Sequence, residues 1–169
     1  MCSLRVLRFS VLPALSLYDG ILHCDIVEGS FDTQLFYQFI ERVLNQMQPY
    51  PASNSVIIMD NCRIHKHPAI LELIRERWVC SLICQVYFDS YLEVSRGMRV
   101  EFLPPYSPDY NPIELTFSAM KYHLRRNGEY TRLAMTDLSD EEIFLTLSVA
   151  LYEISASGVF GWFRHCGYV

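Results

Sequence analysis

Ser55-Val56-Ile57-Ile58-Met59-Asp60-Asn61 is the stretch on which the fold turns. Apolar side chains run unbroken from Val56 to Met59 and stop at two polar residues. So short and apolar a run is the pattern of a strand covered on both faces. Its polar end falls where open α/β sheets present ligand groups, just past the carboxyl end of a strand. Asp60 is the first candidate functional residue.

Working outward, Pro68 suits the first turn of a helix expected near residues 67–77, and Met98–Leu103 alternates enough to be a further strand. Pro104, Pro105, Pro108 and Pro112 then impose a rigid, non-helical loop. Asn111-Pro112-Ile113-Glu114 reads as a helix start, with Asn as N-cap, Pro at the first helical position and Glu two further on. Ile113, Phe117, Met120 and Leu124 mark its expected buried stripe, and Asn127-Gly128 ends it. Ser139-Asp140-Glu141-Glu142 opens a last helix with Ile143, Leu147, Ala150, Leu151 and Ile154 on its apolar side. Gly158–Val169 is too apolar for a free tail and is expected to dock on the core or on a partner.

Upstream of the opening stretch, Phe31 to Met47 recur with helical spacing, predicting a helix near 31–48. Before it, an apolar run over residues 5–17, the turn Tyr18-Asp19-Gly20 and a strand over 21–27 predict a hairpin. The order is ββαβα, then βα, then α: an α/β chain.

With 169 residues, 51% of them hydrophobic, the chain can bury a sizeable core. Ten Phe, eleven Tyr and two Trp exclude a disordered segment or acidic tail. A net charge of -5 argues against a self-sufficient DNA-binding module, so any nucleic-acid contact must come from a local patch. The six cysteines, Cys2, Cys24, Cys62, Cys80, Cys84 and Cys166, contain no C-x-x-C pair and suggest reduced thiols in an intracellular protein. Arg5 and Arg8 before an apolar run imitate a signal peptide, but no small-residue cleavage site follows. No stretch is long enough to span a bilayer, and no membrane partner is expected.

Two carboxylates stand out chemically. Asp60 at a strand end and Glu114 in the first turn of a helix offer hard oxygen ligands for divalent cations. Paired cations at such a site can activate a hydroxyl and stabilise the leaving oxygen of a phosphodiester. Ser118, Lys121 and Arg125 follow Glu114 at helical steps and share its face, a surface able to track a phosphate backbone, with Arg126 beside it. Spacing alone leaves plainer readings open: Asp60 as an ordinary strand-to-loop residue, Glu114 as half of a capping box, and the basic residues as a solvated face. Cys62, His65 and His67 lack the second ligand cluster a zinc site requires.

The run Met59-Asp60-Asn61-Cys62-Arg63-Ile64-His65, with Phe102-Leu103-Pro104-Pro105-Tyr106-Ser107-Pro108-Asp109-Tyr110-Asn111-Pro112-Ile113-Glu114 downstream, resembles the DDE superfamily endonuclease domain of mariner-type transposases. Arg8–Ser16 and Gly20–Leu22 are similar to the hairpin that precedes these blocks, and the similarity covers roughly residues 6–127 apart from one segment. The resemblance implies a ribonuclease H-like mixed sheet flanked by helices, and DNA cleavage and strand transfer with Mg2+ or Mn2+. It makes Asp60 and Glu114 the second and third acidic residues of the catalytic triad and metal site, with Asn61, His65 and Asn111 beside them. It also implies DNA held by Lys121, Arg125 and Arg126, a nuclear location, and a homo-oligomer through missing or C-terminal regions.

Two departures qualify the match. The family's first catalytic aspartate lies on a strand before the hairpin and has no counterpart here. Asp19 belongs to the turn and Asp25 lies inside the second hairpin strand. A site with two carboxylates should hold metal weakly. The expectation is thus one partial catalytic domain over 1–169, its first strand missing and its activity slight or lost. The competing class is a non-catalytic nucleic-acid-binding or protein-interaction domain derived from a transposase. The second departure is residues 78–96, whose removal restores the family's spacing between Asp60 and Glu114. Val79-Cys80 can be encoded by a common intron start and Ser95-Arg96 can span an intron end. A translated intron or a genuine insertion would each account for it. A C-terminal helical segment at 137–169 completes the expected organisation.

Overall fold

The computed structural model describes residues 9–86, 99–129 and 138–169, without the side chains of 78–86. The chain divides into two compact units, one formed by Met1–Phe31 with Pro108–Val169 and the other by Asp32–Ser107.

In the first unit, β1 (Phe9–Ser16) and β2 (Gly20–Glu28) form an antiparallel hairpin. Ser16 closes the turn: its hydroxyl donates to Asp19 Oδ2 at 2.8 Å and accepts from the Tyr18 and Asp19 amides at 3.3 and 3.1 Å. Gly20 carries a φ of 82°, which only glycine adopts without strain. The register shifts between Ala14 and Leu15, so that Leu15 faces Ile21 while Ala14 faces His23. Leu22 is the extra residue. This bulge breaks the two-residue alternation and lets Ile21, before it, and Cys24 and Ile26, after it, pack with Phe9 and Val11 on one core. Pro13 is tolerated because β1 pairs, among the described residues, with β2 alone.

That core is completed by Met120 and Leu124 of α3 (Pro112–Arg126) and by Ile143, Leu147, Ala150 and Leu151 of α4 (Asp140–Tyr152). α5 (Ala156–His165) packs on β2 and α3 and buries Val159. Each fully buried aliphatic side chain contributes about 1.5–3 kcal/mol. The stripe of α3 differs from the sequence expectation. Pro112, Thr116, Met120 and Leu124 are buried, whereas Ile113 and Phe117 are half-buried. Thr116 can lie inside because its hydroxyl back-bonds to the Pro112 carbonyl at 3.4 Å.

In the second unit, α1 (Thr33–Leu44) starts at Asp32, whose carboxylate accepts the Leu35 amide at 2.8 Å. It buries Phe36, Phe39, Ile40, Val43 and Leu44. β3 (Val56–Met59) and β4 (Arg99–Phe102) pair in parallel, Val56 opposite Arg99 and Met59 opposite Phe102. The chain between them includes α2 (Pro68–Val86), as a parallel pair requires a crossover. The helix expected over 67–77 therefore runs on into the segment 78–96. Of that segment, residues 87–96 lie outside the described residues.

The expectation that β3 is covered on both faces is corrected. Ile57 and Met59 are buried, but Val56 and Ile58 are each 38% exposed, the alternation of a strand covered on one face only. Among the described residues the strands form two two-stranded sheets. The architecture is mixed α/β, small sheets flanked by helices. No single helix among these residues is long and apolar enough to cross a membrane.

Candidate active site

Asp60 follows directly on β3 and is 53% exposed at its side chain. Its Oδ1 accepts the Cys62 amide at 2.9 Å, an Asx turn that bends the chain out of the strand. The same oxygen lies 2.7 Å from His65 Nδ1. Carbonyl-to-amide bonds from Cys62 to His65, Arg63 to Lys66 and Ile64 to His67, at 3.1–3.3 Å, wind the loop toward α2 and return His65 to the strand end. The imidazole rests on the Phe36 ring of α1, with centroids 4.6 Å apart. Both contacts to the carboxylate fall on Oδ1, so Oδ2 is the oxygen free of them.

Asn61 turns the other way. Its side-chain amide donates to the Leu103 carbonyl just beyond β4, latching the ends of the two parallel strands. Lys66 lies over the Phe102 ring at 5.3 Å. Asn61 and His65 thus both act at the strand ends beside Asp60, as neighbours rather than as a cluster of ligands. Cys62 and His67 do not join His65 in one. Among the described residues no group of three or more His, Cys, Asp or Glu side chains is placed to hold a metal ion.

Glu114 lies in the other unit, in the first turn of α3. Asn111 caps this helix: its side-chain oxygen accepts the Ile113 amide at 3.3 Å and its carbonyl accepts the Glu114 amide at 3.2 Å. The capping-box reading of Glu114 is not realised. The Asn111 amide that a capping box would offer to Glu114 instead donates to the Pro108 carbonyl at 2.9 Å. The contrast within the chain is direct, because Ser139 and Glu142 at the start of α4 form both halves of such a box. The Glu114 carboxylate is exposed and, apart from complementing the helix dipole from the first turn, is not engaged as a cap. Downstream on α3, Ser118, Lys121, Arg125 and Arg126 are all exposed, and Ser118 back-bonds to the Glu114 carbonyl at 3.0 Å. Basic side chains in a last turn also complement the helix dipole, so their position alone does not mark a DNA surface.

The remaining acidic residues of the hairpin have other partners. Asp19 is held by Ser16 in the turn, and Asp25 lies 3.2 Å from His23 Nε2 along β2. The sequence reading missed Phe36, the platform under His65. No motif reports it, because the contact joins α1 to a loop well downstream in the chain.

The fold and its acidic residues define the class: an α/β domain with exposed carboxylates at a strand end and a helix start, bearing a basic helical face. The chain belongs to the DDE superfamily endonucleases, whose family model matches residues 4–135. No curated protein and no solved structure matches it. Members of the family are generally dependent on divalent metal and act on DNA, and the chain is a transposase-like nuclease domain. α4 and α5 lie beyond the matched span.

Proposed function

We propose that this is a mariner-type domain with a ribonuclease H-like fold, for metal-dependent DNA cleavage and strand transfer on nuclear DNA, and that Asp60 and Glu114 are its two metal-binding carboxylates. The observation that carries the reading is the exposed Asp60 carboxylate, pinned through Oδ1 at the end of β3 within the family-matched span. The donor chemistry fits: both side chains are hard oxygen donors open to solvent, suited to Mg2+ or Mn2+. When bound, such ions supply a Lewis acid for a phosphodiester oxygen and an activated hydroxyl.

The chain's own residues contribute orientation. The Cys62 amide and His65 Nδ1 hold Asp60 in one rotamer, Asn61 ties its strand end to Leu103, and Asn111 sets the first turn that carries Glu114. Lys121, Arg125 and Arg126 take DNA phosphates, positioning the strand without reading its sequence.

A second reading has its own support. The two contacts on Asp60 Oδ1 also make it a loop-closing residue, as in a domain that retains the fold and binds nucleic acid or protein without cutting. Nicking of supercoiled plasmid with Mn2+ or Mg2+ separates the two. Cleavage that disappears in Asp60→Asn and in Glu114→Gln supports the nuclease. DNA binding without cleavage favours the second reading, and cleavage that survives both substitutions overturns the site.

A further inference from the structure

The C-terminus of α5 ends in a geometry that aims one side chain. Cys166 caps the helix and Gly167 follows at a φ of 84°. The Gly167 amide donates to the Arg164 carbonyl at 3.1 Å and the Tyr168 amide to the Phe163 carbonyl at 3.0 Å. This is the paired bonding of a Schellman motif, and its usual apolar contact is present as an edge-to-face pair of the Phe163 and Tyr168 rings, 5.6 Å apart. So fixed, the Tyr168 hydroxyl donates to the Tyr110 carbonyl at 2.8 Å.

Tyr110 and Asn111 share one peptide group. Its carbonyl takes the Tyr168 hydroxyl, while its N–H donates to the Pro108 carbonyl at 2.9 Å. Both ends of that plane are therefore held. The next atoms along the chain are the Asn111 side chain and carbonyl, which receive the Ile113 and Glu114 amides. Rotating the plane would swing the N-cap and the helical turn that carries Glu114.

We infer that Tyr168 is a positioning residue that acts through the Tyr110–Asn111 peptide to fix the first turn of α3 and hence the Glu114 carboxylate. It lies beyond the family-matched span, so the strap is contributed by the chain's own C-terminal extension. Burial, and then the neighbouring Cys166, push the Tyr168 phenol above its ordinary range, so it remains a donor at neutral pH. The catalytic importance of Glu114 rests on the function proposed above; the strap itself does not.

Hydrogen exchange on the full chain tests it, comparing Tyr168→Phe, which keeps the ring and loses only the hydroxyl, with the unaltered protein. Losing one hydrogen bond of ordinary net strength should speed exchange of the Asn111, Ile113 and Glu114 amides about three- to tenfold, with the β1–β2 amides unchanged. Gly167→Ala, which disturbs the aim of the side chain, should give the same local pattern. Unchanged exchange at residues 111–114 overturns the inference, as does acceleration spread evenly through the unit, which would mean general destabilisation. In a nicking assay kcat should fall in Tyr168→Phe with KM for DNA unaltered. Unchanged kcat in the face of faster local exchange would remove the link to Glu114. If the unaltered protein nicks no DNA, the nuclease reading fails while exchange still decides the strap.

Discussion

His65 Nδ1 stands 2.7 Å from Asp60 Oδ1, with the imidazole resting on the ring of Phe36. A carboxylate at a strand end would otherwise rotate freely in water. Here a ring held by an aromatic neighbour limits it, and the oxygen that carries the contacts is the one turned to the loop.

Replacing His65 should therefore do two separable things. His65→Ala removes a partly exposed contact to the Asp60 carboxylate and a ring contact, together about 1 kcal/mol, read from urea unfolding at neutral pH. It should also weaken Mn2+ binding, because the Asp60 rotamer is no longer restricted. Unaltered metal affinity with lowered stability would assign His65 a packing role alone.

Glu114 and Glu142 both sit two residues into the first turn of a helix after a polar N-cap, yet they should respond oppositely. Glu142→Ala breaks the capping box with Ser139 and should cost about 0.5–1 kcal/mol. Glu114→Ala breaks no bond at its helix start and should leave stability within about 0.5 kcal/mol, while abolishing any metal-dependent cleavage. Thermal unfolding of the two variants side by side checks the difference.

Two glycines of similar φ should differ in tolerance. A Cβ on Gly20, at 82°, would lie 3.1 Å from the Ala156 backbone, whereas one on Gly29, at 87°, meets nothing within 4 Å. Gly29→Ala should cost about 1 kcal/mol from backbone strain alone. Gly20→Ala should cost roughly 2–3 kcal/mol, since α5 must also shift. Denaturant midpoints measure both.

Alkaline pH should weaken the unit formed by the hairpin and helices α3 to α5. Burial, reinforced by the Asp25 charge, pushes the Cys24 thiol up to about 12 from an ordinary 9.0. Tyr152, Cys166 and Tyr168 are also raised, in each case chiefly by burial. All four groups are held in their protonated form by the folded state. Their contribution is complete below about pH 9 and is lost as pH rises from there toward 12. Unfolding midpoints should fall over that window, and Cys24→Val should flatten the decline. Stability that is level from pH 9 to 11 would contradict the burial of these groups.

Much of the layout was readable in the chain. Asn111 and Ser139 each start a helix where the sequence predicts, and Asn127-Gly128 ends α3 with Gly128 at a φ of 72°. These signals are local: a cap is satisfied by amides two or three residues away, so the sequence around it is sufficient. The hairpin turn is legible for the same reason, as the bonds of Ser16 to Tyr18 and Asp19 span no more than three residues.

Other features depended on what packs where. The face of α3 is rotated toward Pro112 and Thr116 because the hairpin and α4 decide which side is enclosed. The bulge at Leu22 could not be read from an apolar strand that alternates imperfectly, since only its pairing with β1 distinguishes an extra residue from an irregular pattern. The choice between cap and free carboxylate at Glu114 was also undecidable from spacing, which is shared with Glu142. It is settled by a competing acceptor, the Pro108 carbonyl, which takes the Asn111 amide first.

The sequence by itself determined the α/β order, the helix starts at Asn111 and Ser139 and the candidacy of two carboxylates, because periodicity, caps and motif residues act over a few neighbouring positions. The tertiary structure alone decided that Phe36 supports His65, that Asn61 latches Leu103, and that Tyr168 reaches Tyr110. Each joins residues far apart in the chain. Such contacts exist only after burial of the apolar faces has paid the entropy of closing the loops between them.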